Sequence, residues 1–400
     1  MPKENRLYNS PHQFEPLLPT GPGLEARLVK AHELQVQARE IKGRASSGVL
    51  ASLAPLLRAM NSYYTNKIEG QETLPLEIER ALRNEFSRDA SIKSKQRLAL
   101  AHMATERWAE ETFGQQAWQT LFSAEVIAAL HEHLFAQLPK SDRLLADGSV
   151  MQPGQWRTKE VKVHLHEAPA AKSVPAFLER FAQVYSQTRV GEPALVAVAA
   201  AHHRLAWIHP FADGNGRITR LHSHLLLYAM GLSNGIWSPL RGMARTQQRY
   251  YTTLSEADMH RHGDLDGRGN LSEKMLLQWV DYFLDLCTDQ VQFMTKMLDT
   301  ASIDDRIRAC MAYESSSAGS SIRMEAVLPM QVLFLKGSLE RGEFKRLLGL
   351  APRTADRVLQ SLQERRLVNS ETPKSKLRFG LPMHALRFYF PALWPEAELG

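Results

Sequence analysis

The hydrophobic and polar residues of this chain follow a helical period over most of its length. Residues 24–138 are rich in Ala, Leu, Glu, Arg and Gln and have the pattern of amphipathic helices. Similar patterns cover residues 173–189, 193–208, 217–230, 245–258 and 272–297. Pro193 suits the first turn of its helix, and Gly231 is placed to end the helix before it. The pattern therefore predicts a mainly α-helical protein.

Two stretches depart from this pattern. Residues 1–25 are rich in proline and glycine, which predicts an extended arm without a helix of its own. Between residues 146 and 166 the sequence carries Asp-Gly and Pro-Gly turn signals, and residues 161–165 alternate as a strand would. We therefore expect one short β-hairpin embedded in the helical protein.

Composition limits the class of protein. The chain has 400 residues, which allows two or three domains at ~150 residues each. Hydrophobic residues make up 44% and charged residues 23%, proportions that allow a sizeable core and exclude a disordered or fibrous chain. Cys287 and Cys310 lack a CxxC spacing, so neither a disulfide framework nor a cysteine zinc site is expected. Because the sequence has no signal peptide or long apolar run, we expect a cytoplasmic protein without membrane contact.

The positive charge of the chain is concentrated near its C-terminus. The formal net charge is +6, and residues 341–378 alone contain ten Lys or Arg and four Asp or Glu. This local excess, ten minus four, equals that of the whole chain. The basic segment follows a Ser-rich run at 315–321, which we expect to be a linker. It is therefore where contact with nucleic acid should be sought.

Residues 208–220, Ile-His-Pro-Phe-Ala-Asp-Gly-Asn-Gly-Arg-Ile-Thr-Arg, carry the clearest chemistry. Pro210 prevents a continuous helix, so the segment is predicted to be a loop between two helices. Residues 213–216 tolerate positive φ directly before a helix, an arrangement that aims backbone N–H groups into one concavity and binds anions. Arg217 and Arg220 are three positions apart and would share the helix face beside that concavity.

These residue types together suit a polyphosphate. Two arginines beside a set of amides match its charge, and Asp213 suits Mg²⁺, which takes one or two carboxylates. His209, at the entrance of the loop, is a candidate general base. Each feature alone has a structural explanation, as a turn, a solvated arginine pair or a structural histidine. Their order within twelve residues favours a functional site.

The whole segment resembles the signature of the Fic family, HPFxDGNGRxxR, at every fixed position. The matching positions are His209, Pro210, Phe211, Asp213, Gly214, Asn215, Gly216, Arg217 and Arg220. The related Doc kinases have Ala and Lys where Gly214 and Gly216 stand, so the chain is similar to the nucleotidyl-transferring branch. The resemblance implies a Fic-type helical core that transfers AMP from ATP to a Ser, Thr or Tyr hydroxyl of a target protein or of itself.

The resemblance also implies roles within this segment. His209 would be the catalytic base, and Asp213 would hold Mg²⁺ between the α- and β-phosphates. The phosphates would be bound by an anion cradle and two guanidinium groups, from Gly214, Asn215, Gly216, Arg217 and Arg220. One tyrosine of the pair Tyr250 and Tyr251 would contact the adenine, although aromatic residues at such spacing also occur in cores.

Two other segments resemble parts of the family with less specific motifs. One is the flap, a hairpin that clamps the target side chain, with implied contacts at Gly154, Arg157, Val161 and Val163. The other is the inhibitory motif [ST]xxxE[GN], which residues 65–70 match. There Glu69 would pair with Arg220 and occupy the space of the γ-phosphate. A carboxylate in the last turn of a helix opposes the helix dipole, so it should have a cationic partner. The alternative is a solvated glutamate beside a helix-capping glycine.

The basic segment resembles a winged helix–turn–helix, with two helices within residues 343–368 and a wing at 372–380. The residues that would face DNA phosphates are Arg353, Arg357, Arg365 and Lys376. Such units also serve in dimerisation or target docking. The expected domains are an N-terminal helical region with the inhibitory helix (1–110), a Fic core (111–300) and the winged helix (301–400).

Two alternatives stay open at this point. Glu69 could support removal of AMP from a modified protein instead of only blocking its transfer. The chain could instead be a DNA-binding regulator whose core senses nucleotide, although the intact His209 argues against a pure sensor. Family members also often pair through the Fic core, so a homodimer is a further expectation.

Overall fold

The computed structural model describes residues 8–41, 43–44, 46–163, 166–391 and 393. Its helices are α1 (Pro22–Ile41), α2 (Ser47–Ile68), α3 (Pro75–Leu82), α4 (Ala90–Phe113), α5 (Ala124–Ala136), α6 (Val174–Tyr185), α7 (Glu192–Ile208), α8 (Asn215–Ala229), α9 (Leu240–Arg245), α10 (Gln247–Glu256), α11 (Glu273–Met297), α12 (Thr300–Ser316), α13 (Val327–Lys336), α14 (Arg341–Leu348), α15 (Pro352–Glu364) and α16 (Met383–Tyr389). The strands are β1 (Lys162–Val163), β2 (His166–Glu167), β3 (Ser338–Leu339), β4 (Val368–Asn369) and β5 (Leu377–Phe379). Short 3₁₀ helices lie at Pro11–Phe14, Trp118–Phe122, Lys140–Arg143, Ala171–Ser173 and Met324–Ala326. The prediction of a mainly α-helical protein is confirmed.

Helix α7 forms the centre of the core. Almost all of its side chains are buried, and alanines fill much of its length, so that α1, α6, α8 and α11 can pack closely around it. Pro193 lies in its first turn, as predicted. The chain leaves α7 at Ile208 and enters α8 at Asn215, which places the loop 209–214 in the middle of the molecule.

Three boundaries differ from the sequence prediction. The N-terminal arm contains a 3₁₀ turn, and α1 begins at Pro22, because the buried Phe14 packs against Phe177 and Trp207 and fixes the arm on the core. The helix predicted over 245–258 is divided into α9 and α10 at Thr246. The Ser-rich run is partly helical, since α12 continues to Ser316.

The hairpin is shorter than the predicted strand. Only β1 and β2 pair, in antiparallel register with Lys162 opposite Glu167 and Val163 opposite His166. A separate antiparallel bridge joins Leu144 to Val150 upstream. The residues between β1 and β2, within the predicted strand, lie outside the described part of the chain.

The C-terminal unit covers residues 324–391. Its three strands form an antiparallel sheet in the order β3-β5-β4, and α14 and α15 are consecutive helices joined by a short turn. A winged helix stays a prediction for this unit. Helix α15 turns an apolar face inward, formed by Ala355, Val358, Leu359 and Leu362. Its opposite face is exposed. Within the described residues, no helix is both long and apolar enough to cross a lipid bilayer.

Helix α2 joins the C-terminal unit to the centre of the molecule. At its start, the Ser46 hydroxyl donates a hydrogen bond to the Phe334 carbonyl (3.1 Å), and Ser52 donates to the Phe379 carbonyl (3.0 Å). Gly48 lies so close to Gly337 that a Cβ on Gly48 would be 2.6 Å from the Gly337 carbonyl oxygen. The other end of α2, at Ile68, reaches α8 and α10. One 22-residue helix therefore contacts both the C-terminal unit and the 209–220 segment.

The close approach of Gly48 to Gly337 predicts a strong effect of a side chain at this position. Gly48→Leu would push against backbone that cannot move aside, at a cost of about 1–3 kcal/mol. We expect its calorimetric melting temperature to fall by several degrees. The matched control is Gly342→Leu in α14, where a Cβ would meet nothing within 4 Å. Equal melting temperatures for the two variants would contradict this account of the interface.

Candidate functional site

The loop between α7 and α8 has a fixed backbone. His209 ends α7 in the left-handed region (φ 51°), and Gly214 precedes α8 with φ 80°. The buried Asn215 side chain bonds the loop from inside, because its Oδ1 accepts from the Phe211 N–H and its Nδ2 donates to the Phe211 carbonyl, both at 2.8 Å. The N-terminus of α8, with its unpaired N–H groups and positive dipole end, therefore has a defined position.

The two glycines of this loop are required by close contacts. A Cβ on Gly214 would overlap the ring of Phe135, and one on Gly216 would overlap Oε1 of Glu69. The left-handed φ of Gly214 also disfavours any other residue. The DGNG sequence is thus explained by packing as well as by its exposure of backbone amides.

A cavity of about 980 Å³ opens beside the loop. It lies between α7, α8, α9, α10, the strand β2 and the end of α2, so its walls come from separate parts of the sequence. The predicted residues that line it are Glu69, His209, Asn215, Gly216, Arg220, Tyr250 and Tyr251. Asp213, Gly214 and Arg217 belong to the same loop and helix but lie outside this lining set.

His209 has the protonation state that a general base needs. Burial, assisted by the nearby His166, lowers its pKa to about 4. The imidazole is therefore neutral above about pH 5 and can accept a proton. Its backbone carbonyl accepts a hydrogen bond from Arg157 Nε (2.8 Å), which holds the backbone of His209 in place.

Arg220 is buried in contact with the end of α2. Its guanidinium donates to the Thr65 hydroxyl (2.8 Å), the Thr65 carbonyl (3.2 Å) and Oε1 of Glu69 (2.5 Å). Burial alone would raise the pKa of Glu69, but the positive charges of Arg220 and Arg217 outweigh it and lower this pKa. Glu69 is therefore ionised at neutral pH, and it occupies the cavity directly over Gly216.

Arg217 also has partners in the last turn of α2 and in the residues after it. Its Nε donates to Oδ1 of Asn66 (3.0 Å), and its terminal nitrogen donates to Oε1 of Gln71. Both acceptors are neutral amides. The sequence did not indicate these contacts, because Asn66 and Gln71 occupy unspecified positions in and after the inhibitory motif.

The paired tyrosines have different surroundings. Tyr250 is buried, and its hydroxyl lies 3.0 Å from Nε2 of His202. Tyr251 is 40% exposed, and its hydroxyl donates to the Ile68 carbonyl (2.9 Å), which Gln247 also bonds (3.0 Å). Tyr251 is therefore the one that presents its ring at the cavity surface while capping α2. Contact of either tyrosine with adenine stays a prediction.

Asp213 has the chemistry of a magnesium ligand. The residue is exposed, and its Oδ1 accepts one hydrogen bond, from the Gly214 N–H (2.7 Å). Within the described residues, no donor is bonded to its second oxygen. A free carboxylate oxygen beside an anion-binding helix end is the environment that a phosphate-bound Mg²⁺ prefers.

The predicted flap residues are not equivalent. Gly154 lies upstream of the hairpin, where its N–H donates to Nδ1 of His131 (2.9 Å). Arg157 differs from the expectation, because its buried guanidinium donates to the carbonyls of His209 and Pro169 and cannot reach a target. Val161 is partly exposed next to the hairpin, and Val163 is in β1.

Helix α15 and the wing carry the predicted DNA contacts. Arg353 and Arg357 are exposed and one turn apart on α15. Arg365 instead pairs with the fully buried Glu314, so its charge is used inside the protein. Lys376 pairs with the exposed Glu340 (3.3 Å).

A buried polar cluster beneath Arg220 has no counterpart in the sequence prediction. Glu110 pairs with Arg58 and with His224 (2.8 Å), and Glu106 accepts from Asn61 (3.0 Å). Burial raises the pKa of Glu106 to about 7. The two carboxylates and the histidine lie close enough to hold a cation. However, Arg58 already supplies a positive charge to Glu110, and Asn61 already donates a hydrogen bond to Glu106. The cluster therefore joins α2 to α4 and α8, and the i, i+4 glutamates were its only signal in the sequence.

Comparison with known proteins gives a consistent result. The profile of the Fic/DOC family matches residues 121–227. A protein adenylyltransferase Fic from Drosophila mojavensis is 26% identical over 208 residues, which are 52% of this chain and 40% of that protein. A protein of the same name from Nematostella vectensis is 29% identical over 125 residues, 31% of this chain and 27% of that protein. The chain therefore spans less than half the length of these curated relatives.

Two solved structures share the fold. Fic-1 from C. elegans superposes with a TM-score of 0.51 and 19% identity, covering 68% of this chain and 72% of that chain. A Fic-domain-containing signalling protein from Bacteroides thetaiotaomicron has a TM-score of 0.50 and 16% identity, covering 67% of this chain and 96% of that chain. At these identities the likeness concerns the fold.

Proposed function

We propose that this chain, whose residues 121–227 match the Fic/DOC family profile, is a protein adenylyltransferase of that family. It would transfer AMP from ATP to a hydroxyl side chain of a target protein or of itself. The observation that carries the proposal is that the partly buried His209, whose pKa burial lowers to about 4, shares one cavity with Arg220 and the N-terminus of α8. The name of the curated relatives supports the same activity.

The reaction needs a base and a site for a triphosphate. His209 takes the proton of the target hydroxyl as that oxygen forms a bond to the α-phosphorus. The bond from this phosphorus to the leaving oxygen breaks, and its electron pair departs with pyrophosphate. Since little covalent chemistry is left to the protein, the rate depends on positioning and on stabilisation of negative charge.

The charge is stabilised by groups at the start of α8. The free N–H groups of its first turn and the guanidiniums of Arg217 and Arg220 suit the phosphates. Asp213 would hold Mg²⁺, which when bound neutralises phosphate charge. To reach the phosphates, both arginines must exchange their present partners on α2 and the residues after it.

Glu69 would inhibit the reaction by holding Arg220. The ion pair at 2.5 Å places a carboxylate where a phosphate on Arg220 would have to lie. ATP would then bind weakly or with its α-phosphate out of line. Alternatively, Glu69 could activate water for removal of AMP from a modified protein. A further alternative for the whole protein is a core that only senses nucleotide.

Removal of the Glu69 carboxylate is expected to activate the protein. With Mg²⁺ and α-labelled ATP, Glu69→Gly should label protein at least about tenfold faster than wild type, because about 1.4 kcal/mol or more of competition at Arg220 is lost. The double variant Glu69→Gly/His209→Ala should not label. A matched control is Glu72→Gly, which removes an exposed glutamate three residues further on.

The other outcomes distinguish the alternatives. Equal labelling by wild type, Glu69→Gly and Glu72→Gly would remove the inhibitory role of Glu69. Absence of label in every sample, with release of AMP from a modified protein by wild type only, would favour the hydrolytic role. Retention of labelling after loss of His209 would contradict its role as the base.

DNA is a second partner favoured by one observation. Arg353 and Arg357 project from the exposed face of α15 without a carboxylate partner among the described residues. In a helix–turn–helix this face meets the DNA backbone and groove. Pairing of two copies through the core stays an expectation from the resemblance.

The double variant Arg353→Ala/Arg357→Ala is expected to weaken binding of duplex DNA uniformly across sequences. Its plot of log affinity against log salt should lose a slope of about two, one for each phosphate contact. Lys376→Ala is the control and should change the slope less, because Lys376 already has a carboxylate partner. Absence of duplex binding by wild type at low salt would exclude DNA and favour a protein-docking role for this unit.

A further inference from the structure

The flap is attached to the core through His166, a residue with no part in the proposed reaction. His166 is in β2, and its side chain is largely buried. Nε2 lies 2.8 Å from the carbonyl oxygen of Trp207, and Nδ1 lies 3.1 Å from Oδ2 of Asp258. The ring also packs edge-on against the Trp207 indole, at 5.6 Å between centroids.

The two partners fix the orientation of this imidazole. A backbone carbonyl and a carboxylate lie beside its two ring nitrogens, and each can accept a hydrogen bond from the ring. Removal of either partner would leave a ring nitrogen of a largely buried side chain without its acceptor.

Asp258 is itself held rigidly. Its second oxygen lies 3.0 Å from Nε2 of His203. His203 must carry its proton on Nε2, because its Nδ1 accepts from the Arg204 guanidinium (2.7 Å). Burial would raise the pKa of Asp258, but the hydrogen bonds with His166 and His203 outweigh burial and lower it. The carboxylate is thus a fixed, ionised anchor.

The position of this pair relates it to catalysis. His166, His203 and Asp258 line the same cavity as His209. The carbonyl that His166 binds belongs to Trp207, two residues before His209. On the other side, Arg157 bonds the carbonyl of His209 itself. Arg157, before the hairpin, and His166, in its second strand, therefore both bond backbone carbonyls at or close to His209.

We propose that His166, held by Asp258, is a positioning residue that fixes the flap over His209 and thereby places the target hydroxyl against the base. The proposal rests on the proposed transferase function. It gives the flap a charged attachment point that is separate from the nucleotide-binding groups on α8.

Several titratable groups face this imidazole. Asp258 comes from the segment after α10, His203 and His209 from α7 and its end, Glu167 from the flap, and Tyr8 from the N-terminal arm. Burial raises the pKa of the Tyr8 phenol, and Asp258 and Glu167 raise it further, so Tyr8 stays neutral. The carboxylate in contact with the ring of His166 is that of Asp258.

The test uses the full chain with Glu69→Gly as the active parent, assayed by transfer of label from α-labelled ATP at roughly pH 6 to 9. Adding His166→Gln or Asp258→Ala should lower the rate at saturating ATP by about tenfold or more, since a misplacement of about 1 Å costs up to about a hundredfold. The affinity for ATP should stay within about twofold. Asp258→Asn, which keeps an acceptor oxygen, should restore part of the rate.

A further measurement separates positioning from a general loss of stability. Amide exchange over residues 158–167 should be faster in His166→Gln than in the parent, with exchange elsewhere unchanged. The control is His32→Gln, which breaks a histidine–carboxylate contact of 2.9 Å with Glu192 on the surface and should change neither the rate of transfer nor the exchange.

The outcomes distinguish this proposal from the proposed function. If the parent labels protein and His166→Gln does so at the same rate, the positioning role is wrong while the transferase function stands. If the parent does not label at all, the proposed function fails. In that case amide exchange still tests whether the flap is attached through His166. Unchanged exchange over residues 158–167 in His166→Gln would contradict that attachment.

Discussion

The structure depends on the burial of two guanidinium groups at the start of α8. Arg220 and Arg217 are 1% and 4% exposed, and a buried cation without partners is strongly destabilising. In this structure the end of α2 and the residues after it supply the partners, with one carboxylate from Glu69 and neutral oxygens from Thr65, Asn66 and Gln71. Phosphates would supply the same charge complement. Under the proposed function, the end of α2 and a nucleotide would therefore be alternative partners of the same two side chains.

This exchange connects the site to distant parts of the molecule. Helix α2 begins against the C-terminal unit, where Gly48 contacts Gly337, and it ends at Arg220. In between, Arg58 and Asn61 attach it to α4 through buried glutamates. A helix held at three places cannot withdraw its end without local rearrangement. Under the proposed function, a phosphate would thus replace Glu69 by competing for Arg220, with the rest of α2 in place.

The sequence predicted the parts of the molecule that depend on local chemistry. The helical class follows from periodicity, and the 209–220 loop follows from proline, glycine and a helix start in close succession. The sequence located the hairpin within a few residues. It did not predict how the hairpin is attached to the core, because Arg157 and His166 bond backbone carbonyls, which every residue provides. The contacts of Arg217 with Asn66 and Gln71 and the pair His166–Asp258 join residues far apart in sequence. Residue type and spacing in the sequence do not indicate such contacts. The roles of the site residues stay predictions.

The central claim is that Glu69 and the γ-phosphate compete for Arg220, and calorimetric binding tests it most directly. We would titrate wild type and Glu69→Gly with Mg²⁺ and either ADP or an ATP analogue that cannot be cleaved between its α- and β-phosphorus atoms. The account predicts that the substitution tightens binding of the triphosphate about tenfold or more and leaves ADP binding within about twofold, because the γ-phosphate alone distinguishes the two ligands. An equal gain for both nucleotides, or no gain for the triphosphate, would contradict it.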